Sequence, residues 1–342
     1  MPNISLTNRC NLRCPYCFAH EFVGDSHNTT QDDITEDAFE AALEFLTREH
    51  PVSLGLIGGE PTLHPLFASL LMRAAEDPRV TDVVVFTNGT LLAPYIRELA
   101  HPKVSLLVNW NPPEMIGKRN FEAIRRNVDA LIFDHHKKGQ VNLGLNLYAI
   151  SMDYDYLIDL LKHYGLKKLR LSLSIPAFPE AEGHQTDVLA YFRSYKPVLL
   201  DLFRRMDAIG VVPYYDCNRP PWCIWTEDEK AWIEAYVARH GETGSSLVGT
   251  KSFCRPVIDI LPDLQAVRCF GMSYLEKAPL AAFGSLEQLT AHFMRLIDRP
   301  AFRSPASLGC RDCHFRRTWL CCQGCMGFKG QALVQTDEAC SG

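Results

Sequence analysis

The sequence predicts an α/β fold, in which a partial or full (β/α) barrel is followed by a small cysteine-rich region. From residue 2 to about 215, short β-branched apolar runs alternate with amphipathic helical patterns. This alternation indicates a parallel sheet, because parallel neighbours need a long crossover between them. Beyond residue 215 the alternation stops. A chain of 342 residues, 47% of them hydrophobic, is long enough to fill a sizeable core.

The individual elements follow from these patterns. Strands are expected at 3–7, 52–57, 82–87, 104–109, 141–147, 168–174 and 211–215. Helices are expected at 35–49, 66–77, 91–100, 119–138, 154–164 and 187–208, and Pro197 predicts a kink or break in the last one. Residues 228–240 look helical, 241–250 read as a Gly/Ser/Thr linker, and 251–342 are expected to be irregular and organised around metal.

Polar residues and glycines follow several predicted strands. In (β/α) barrels the chemistry lies at the carboxyl ends of the strands. Here those ends carry residues 10–17, residues 58–61, residues 87–89, Asn109, Asn146, and Arg170 with Ser172 and Ser174. Asn88 and Gly89 alone are equally typical of an ordinary turn. The agreement of several strand ends favours a ligand site, and residues 22–33 are expected to form a mobile loop over it.

Charge and cysteine content exclude several classes of protein. A net charge of -5 gives no basic excess, so neither nucleic acid nor a membrane surface is an expected partner. No 18-residue apolar run and no secretion leader occur, which predicts a cytoplasmic protein. The 13 cysteines are an odd number in a reducing compartment. They indicate metal or sulfur chemistry rather than disulfides.

The first three cysteines stand close together, as Cys10-x3-Cys14-x2-Cys17. A [4Fe–4S] cluster is normally held by four cysteines. With three, one iron keeps an open position, as a catalytic zinc does when the protein supplies three ligands. The alternatives are a zinc site completed by His20 or by a remote cysteine, and a set of unrelated thiols.

This motif, with Tyr16 before its last cysteine and Gly58–Gly59–Glu60–Pro61 after the second strand, resembles the radical S-adenosylmethionine (SAM) superfamily. The resemblance covers about residues 1–215 and implies a (β/α)6 partial TIM-type barrel. It implies that the open iron of a [4Fe–4S] cluster binds the amino and carboxylate groups of SAM. One electron then cleaves SAM to methionine and a 5′-deoxyadenosyl radical, which abstracts hydrogen from a substrate.

The resemblance also gives roles to the strand-end residues. Gly58 and Gly59 would let the backbone approach the methionine amino group, and Glu60 would be its anionic partner. Arg170 would meet the methionine carboxylate. The remaining candidates for cofactor binding are Tyr16 against adenine, Asn88, Asn109 and Asn146 on the ribose hydroxyls, and Ser172. Asn109 and Asn146 have an equal alternative, which is to satisfy backbone groups of the barrel.

The tail carries a second cysteine set, with the spacing Cys254-x14-Cys269, then Cys310-x2-Cys313-x7-Cys321-x3-Cys325, then Cys340. With this pattern it resembles the SPASM extension, which holds two auxiliary [4Fe–4S] clusters. The expected domains are the barrel at 1–215, a bridging segment at 216–250 and the SPASM-like domain at 251–342. The resemblance assigns Cys310, Cys313, Cys321 and Cys340 to an outer cluster, and Cys254, Cys269 and Cys325 to an inner one. A zinc domain is the alternative. The gap from Cys313 to Cys321 is longer than is usual in SPASM extensions, and Cys322 stands next to Cys321. Which of Cys321 and Cys322 is the cluster ligand is therefore left open.

Two further cysteines, Cys217 and Cys223, follow the last barrel strand. One of them could complete the inner cluster, which otherwise keeps an open iron or takes a ligand from elsewhere. Together with Cys322 they are also the candidate catalytic thiols, which would donate hydrogen or bond transiently to the substrate. The remaining reading is that they are small buried apolar side chains.

The leading functional hypothesis is a radical SAM enzyme that crosslinks or oxidises a residue of a peptide or protein. It would use a reductant such as flavodoxin or ferredoxin. Because the barrel begins at residue 2, a peptide would need a separate leader-recognition protein or none. Sulfatase-type maturation is disfavoured, since Phe270 stands where those relatives carry an aspartate base. One alternative is an enzyme that oxidises or rearranges a small metabolite such as an aminoglycoside or alcohol, in a barrel pocket with Trp110, Tyr148 and His20 near its mouth. The other is an iron–sulfur electron carrier or scaffold.

Overall fold

The computed structural model describes residues 1–17, 32–174, 187–241, 246–249 and 254–329. It has a mixed α/β fold with a parallel sheet and a cysteine-rich C-terminal region, so the predicted fold class is confirmed. The strands are β1 Asn3–Ser5, β2 Val52–Ile57, β3 Val80–Thr87, β4 Val104–Asn109, β5 Val141–Leu147, β6 Lys168–Leu173, β7 Val212–Tyr214, β8 Asp259–Ile260, β9 Gln265–Val267 and β10 Ala278–Pro279.

Several helices begin with a side-chain cap. The Thr35 hydroxyl accepts a hydrogen bond from Ala38 N at 3.1 Å, and Thr226 and Glu229 form a capping box. The helices are α1 Glu36–Thr47, α2 Phe67–Glu76, α3 Ile96–Leu99, α4 Pro113–Ile116, α5 Lys118–Asp129, α6 Asp155–Tyr164, α7 Val188–Ala208, α8 Glu227–Arg239, α9 Leu286–Phe293, α10 Arg299–Arg303 and α11 His314–Arg317. No helix in these described ranges has the length and apolarity needed to cross a bilayer.

The chain divides into two compact units. The first unit comprises Met1–Gly144 and Pro256–Met294, and its strands are ordered β10-β9-β8-β1-β2-β3-β4. The pairs from β8 through β1 to β4 are parallel, and residues 141–144 of β5 run beside β4. Its core is aliphatic, because strands covered on both faces need apolar side chains throughout. Fully buried examples are Ile4, Leu54, Leu56, Val83, Val85 and Leu106.

The second unit comprises Leu145–Arg255 and Arg295–Gly342. In it β6 pairs with β7 in parallel, and α7 is the long helix. Of the expected kink or break at Pro197, the break does not occur, because the helix continues through this residue. The side chains of Phe192, Leu199, Leu202 and Phe203 are fully buried on both sides of the proline, and this packing holds the two halves in one helix.

Two other expectations differ from the structure. Residues 251–342 are not uniformly irregular, because β8 lies beside β1 and α9 forms a capped helix. The buried Asp259 carboxylate accepts a hydrogen bond from Asn3 Nδ2 at 2.6 Å and holds β8 there. The helix expected at 91–100 is divided into a 3₁₀ turn at Ala93–Tyr95 and α3, since Pro94 cannot donate within a helix. The expected domain division at residues 215 and 250 stays a prediction.

Candidate functional site

The N-terminal cysteine loop, residues 8–17, follows β1 in the first unit. Its base is fixed by Asp33, whose carboxylate accepts a hydrogen bond from the Thr7 hydroxyl and forms a salt bridge with Arg9, each at 2.6 Å. Arg9 also donates to the carbonyl oxygen of Leu63 at 2.8 Å. These contacts place three cysteines directly beyond the end of a buried strand.

Gly58 and Gly59 lie against this loop. A Cβ at Gly58 would stand 2.5 Å from the Thr7 carbonyl oxygen, and one at Gly59 would stand 2.3 Å from that of Arg9. The Gly59 amide donates to Thr7 at 2.8 Å. In this structure the close approach that the glycines permit is therefore to the cysteine loop. Their contact with a methionine amino group stays a prediction.

Polar hydrogens surround the thiols of the loop. The Leu12 amide donates to Cys10 Sγ at 3.5 Å, and Asn111 Nδ2 donates to Cys14 Sγ at 3.4 Å. The Tyr16 hydroxyl donates to Asn111 Oδ1 at 2.6 Å, which fixes the amide for its contact with sulfur. Tyr16 thus has a position beside the cysteines, although the partner of its ring stays a prediction.

Burial makes ionisation of the loop thiols unfavourable without a metal. Burial raises the pKa of the Cys10 thiol to about 11, and the negative charges of Glu60, Cys14 and Cys17 act in the same direction. Burial also raises the pKa of Cys14. Cysteines in such surroundings need a cationic centre to stay ionised. Three thiols on one loop, with donors directed at two of the sulfurs, fit a [4Fe–4S] cluster.

Within the part of the chain that the structure describes, no three His, Cys, Asp or Glu side chains converge closely enough to hold one metal ion. His20, the expected alternative zinc ligand, lies outside the described residues.

Glu60 is fully buried at the end of β2. Its Oε1 accepts hydrogen bonds from the hydroxyls of Thr62 at 2.6 Å and Thr87 at 2.7 Å, and Oε2 accepts one from the amide of Asn88 at 2.7 Å. Burial raises its pKa, and these hydrogen bonds oppose the rise. The carboxylate therefore joins the ends of β2 and β3, a role that the sequence did not reveal. A further contact with a ligand amino group stays a prediction.

Asn88 belongs to a small polar network beside the loop. Its Nδ2 donates to Asn11 Oδ1 at 2.8 Å, and its Oδ1 accepts from the Thr90 hydroxyl at 2.6 Å. Sequence reasoning missed Asn11 and Thr90, although Asn11 lies inside the cysteine motif. Asn109 lies across from Gly144, where a Cβ would stand 2.6 Å from its Oδ1. The ribose contacts of both asparagines stay predictions.

In the second unit, Arg170 on β6 already has an acidic partner. Its Nε donates to Asp216 Oδ1 and its Nη1 to Asn146 Oδ1, both at 2.8 Å. Sequence reasoning missed Asp216, which follows the last barrel strand. Asn146 thus positions the guanidinium. The Ser172 side chain is buried, and its hydroxyl lies 3.4 Å from the Leu173 carbonyl oxygen.

The structure places Trp110 differently from the expectation. In the first unit the Trp110 side chain is 1% exposed and packs against Phe121, with ring centroids 5.5 Å apart. It is therefore a core residue and not an exposed wall of a pocket mouth.

Seven cysteines of the second unit form two groups. In the inner group, Cys325 is hydrogen-bonded to Cys217 and Cys254, and these contacts together with burial raise its pKa well above the ordinary value. The pocket group comprises Cys223, Cys310, Cys313 and Cys321, which line one cavity. Cys217 and Cys223 were expected as alternatives for a single position, but the structure assigns one to each group.

The choice between the adjacent cysteines favours Cys321. It lines the cavity of the pocket group, and its Sγ accepts a hydrogen bond from the Gln323 amide at 3.2 Å. The Cys322 thiol is buried and donates to the Gly324 carbonyl oxygen at 3.0 Å. Cys269 belongs to the first unit, where Arg268 Nη1 lies 3.7 Å from its sulfur. Cys340 lies outside the described residues.

The parallel sheet and the three-cysteine loop after its first strand place this chain among α/β proteins of the barrel type, with a candidate iron–sulfur site on that loop. Residues 4–132 match the family model described as the Radical SAM superfamily. The GTP 3′,8-cyclase of Syntrophomonas wolfei is 38% identical over 127 residues, which are 37% of this chain and 37% of that protein. The chain spans between 27% and 63% of the length of the first curated relatives it matches.

Solved structures share the fold over most of the chain. The structure of anSMEcpe with bound AdoMet has a TM-score of 0.64 at 17% identity and covers 99% of this chain and 96% of its own. Streptococcus suis SuiB bound to S-adenosylmethionine has a TM-score of 0.57 at 14% identity and covers 95% of this chain and 72% of its own. Another structure of SuiB holds the precursor peptide SuiA, with a TM-score of 0.53 at 14% identity, and covers 84% of this chain and 63% of its own.

Residues 4–132 are therefore similar to the radical SAM superfamily, and the solved structures share the fold of this chain. The cyclases are a different branch from the peptide-modifying one that the sequence predicts. The two sets of relatives therefore point to different classes of substrate, a small molecule and a peptide.

Proposed function

We propose that this chain is a radical SAM enzyme with two auxiliary iron–sulfur clusters, and that it crosslinks or oxidises a residue of a peptide or protein. The observation that carries the proposal is the gathering of seven cysteines of the second unit into the inner group and the pocket group. Thiols crowded in this way, on segments with little regular structure, are typical of metal-organised regions.

The N-terminal cysteine loop would hold the first cluster through Cys10, Cys14 and Cys17. When bound, that cluster and SAM supply the electron and the 5′-deoxyadenosyl radical that abstracts hydrogen from the substrate. The chain positions the group: Asp33 fixes the base of the loop, and Asn111 and the Leu12 amide direct hydrogen bonds at two sulfurs. Such hydrogen bonds stabilise the reduced form of an iron–sulfur cluster.

Arg170 is the proposed partner of the methionine carboxylate. Its Nε and Nη1 are already used by Asp216 and Asn146. A carboxylate ligand would have to replace Asp216 or share the guanidinium with it, and the exchange of one carboxylate for another conserves the charge of the pair. Asn146 would keep the orientation of the guanidinium in either case.

The peptide assignment rests on fold similarity over nearly the whole chain. SuiB, which shares the fold, has been solved with a precursor peptide. The small-molecule alternative is favoured by a different observation, since the curated relatives are cyclases named for GTP. Their similarity covers only part of this chain, whereas the cysteine groups of the second unit include Cys310, Cys313 and Cys321 beyond the region of the family match.

The test begins with anaerobic purification. The enzyme proposal predicts a brown protein with iron and sulfide, an EPR signal of the reduced protein that changes on addition of SAM, and 5′-deoxyadenosine after reduction with dithionite. A matched variant with Cys14→Ala and Cys17→Ala should retain auxiliary iron but form no 5′-deoxyadenosine. An electron carrier would show iron without a response to SAM, and a zinc protein would be colourless.

The substrate class is tested separately. Candidate peptides encoded beside this gene and GTP are offered in parallel, each with deuterium at exchange-resistant positions. Deuterium in 5′-deoxyadenosine from a peptide, detected by mass spectrometry, supports the proposal. Transfer from GTP alone would replace it with the small-molecule alternative.

A further inference from the structure

A cavity of about 340 Å³ in the second unit is lined by the four cysteines of the pocket group. This volume is several times the share of one water molecule in the liquid, which is about 30 Å³, so the cavity accepts a larger group. All four cysteines lie outside the N-terminal cysteine loop. None of them is in a disulfide.

Cys223 is directed to this cavity by the turn that carries it. The 3₁₀ turn Trp222–Ile224 closes with a hydrogen bond from the Ile224 amide to the Pro221 carbonyl oxygen at 3.1 Å. The side chains of Trp222 and Ile224 are buried, whereas Cys223 between them is exposed and lines the cavity. The turn leads into α8, whose capping box residue Glu229 forms a salt bridge with Lys196 at 2.6 Å. Cys223 therefore has a fixed position.

The other three thiols come from one compact stretch of the tail. Cys310 ends a 3₁₀ turn, and the Cys313 amide donates back to its carbonyl oxygen at 3.3 Å. Arg316 Nε donates to the same carbonyl at 2.9 Å, and the Cys321 amide donates to Phe315 at 3.1 Å. These contacts fix the local backbone around Cys310, Cys313 and Cys321, and all three residues line the cavity.

We propose that Cys223 is the fourth thiolate of the outer auxiliary cluster, with Cys310, Cys313 and Cys321, in the position that the sequence resemblance gives to Cys340. The inference rests on the proposed function and makes it more specific. Four thiolates ligate every iron of a [4Fe–4S] cluster, so this cluster would have no open corner for substrate. Cys217 is then the cysteine that remains for the inner group, beside Cys254 and Cys325.

The experiment uses the full chain with Cys10, Cys14 and Cys17 replaced by alanine, so that all remaining iron belongs to auxiliary sites. In this background Cys223→Ala is compared with Cys340→Ala and with Cys322→Ala, the buried neighbour of a proposed ligand. Iron and sulfide per chain are measured after anaerobic reconstitution, together with Mössbauer spectra. Cys223→Ala should lose up to about four irons per chain, the content of one cluster, and the two other variants should keep theirs.

Retention of iron in Cys223→Ala, or an equal loss in Cys340→Ala, overturns the inference. The failure of the proposed function looks different, because the background chain itself would then hold zinc or no metal. If the Cys223→Ala chain does not fold, a second measurement on the unsubstituted protein tests the same assignment. Alkylation of the unsubstituted holoprotein and of the chelator-treated protein is followed by mass spectrometry. Cys223 should be protected by the metal as strongly as Cys310, and equal labelling of Cys223 in both forms overturns the assignment.

Discussion

Replacing Gly59 with alanine tests whether the glycine pair sets the position of the N-terminal cysteine loop. The added methyl group would lie 2.3 Å from the Arg9 carbonyl oxygen and 3.0 Å from the Cys10 Cβ. Ordinary contact begins near 3.4 Å. The obstacle at the shorter distance is backbone, so the loop has to retreat by about 1 Å, and a misfit of this kind typically costs about 1–3 kcal/mol.

The retreat would also disturb the contacts that join the loop to the end of β2. The amides of Gly59 and Glu60 donate to the carbonyl oxygens of Thr7 and Arg9, both at 2.8 Å. We expect the Gly59→Ala protein to lose about 2 kcal/mol of unfolding free energy without metal. We also expect it to lose about four irons per chain after reconstitution, because Cys10 is displaced from its cluster position.

The assay is urea unfolding of the metal-free, reduced chain, followed by iron analysis of the reconstituted protein. Gly139→Ala is the matched control, since a Cβ at that glycine meets nothing within 4 Å. It should be neutral or stabilising by up to about 1 kcal/mol, because alanine restricts the unfolded chain. If Gly59→Ala unfolds at the same urea concentration as the unsubstituted chain and binds the same amount of iron, the glycine pair does not position the loop.

Three other substitutions probe single groups. In Glu60→Gln, an amide NH₂ group would replace one carboxylate oxygen and would face hydrogen-bond donors. The free energy of unfolding in urea should therefore fall by about 1–3 kcal/mol. An unchanged value would contradict the structural role given to Glu60. Burial raises the pKa of Asp259 from 3.8 to about 6, so the folded state binds the Asp259 proton more tightly than the unfolded state does. The protonated carboxyl group therefore stabilises the fold below pH 4, and this stabilisation is lost as the pH rises to 6. The stability of the unsubstituted chain relative to Asp259→Asn should therefore decline by up to about 3 kcal/mol over this window, and a flat difference would refute the assignment. Asn111→Leu removes the hydrogen bond to Cys14 Sγ, so the reduction potential of the first cluster, measured by EPR titration, should become more negative. The control Asn120→Leu removes a hydrogen bond to the Ile116 carbonyl oxygen and should leave the potential unchanged.

Much of the fold could be predicted because its signals are local. The strands Val52–Ile57, Val104–Asn109 and Val141–Leu147 have the expected bounds, since apolar residues recur along them at every second position or more often, as at Val141, Leu143, Leu145 and Leu147. The two-residue strand β8 has no such signal. It forms because Asn3 and β1 supply its hydrogen bonds from far away in the sequence.

The candidate site also has features that the sequence predicts and features that depend on tertiary contacts. The three-cysteine motif was visible because its spacing is contained in one loop. The partners of Glu60 and Arg170 were not, because Thr87 and Asp216 reach them only through the order of the strands and the loops that follow. The continuous helix through Pro197 is another case, since burial of Phe192 and Phe203 outweighs the local preference of proline.

The sequence by itself determined the alternation of strands and helices, the three thiols after β1 and the cysteine-rich tail, because each depends on spacing along the chain. Only the tertiary structure decided which thiols share a group. Cys217 and Cys223 are six positions apart in the sequence, yet Cys217 contacts Cys325, which also contacts Cys254, whereas Cys223 lines the cavity with Cys310, Cys313 and Cys321. Thiols meet through packing between segments remote in sequence, and spacing along the chain carries no record of that packing.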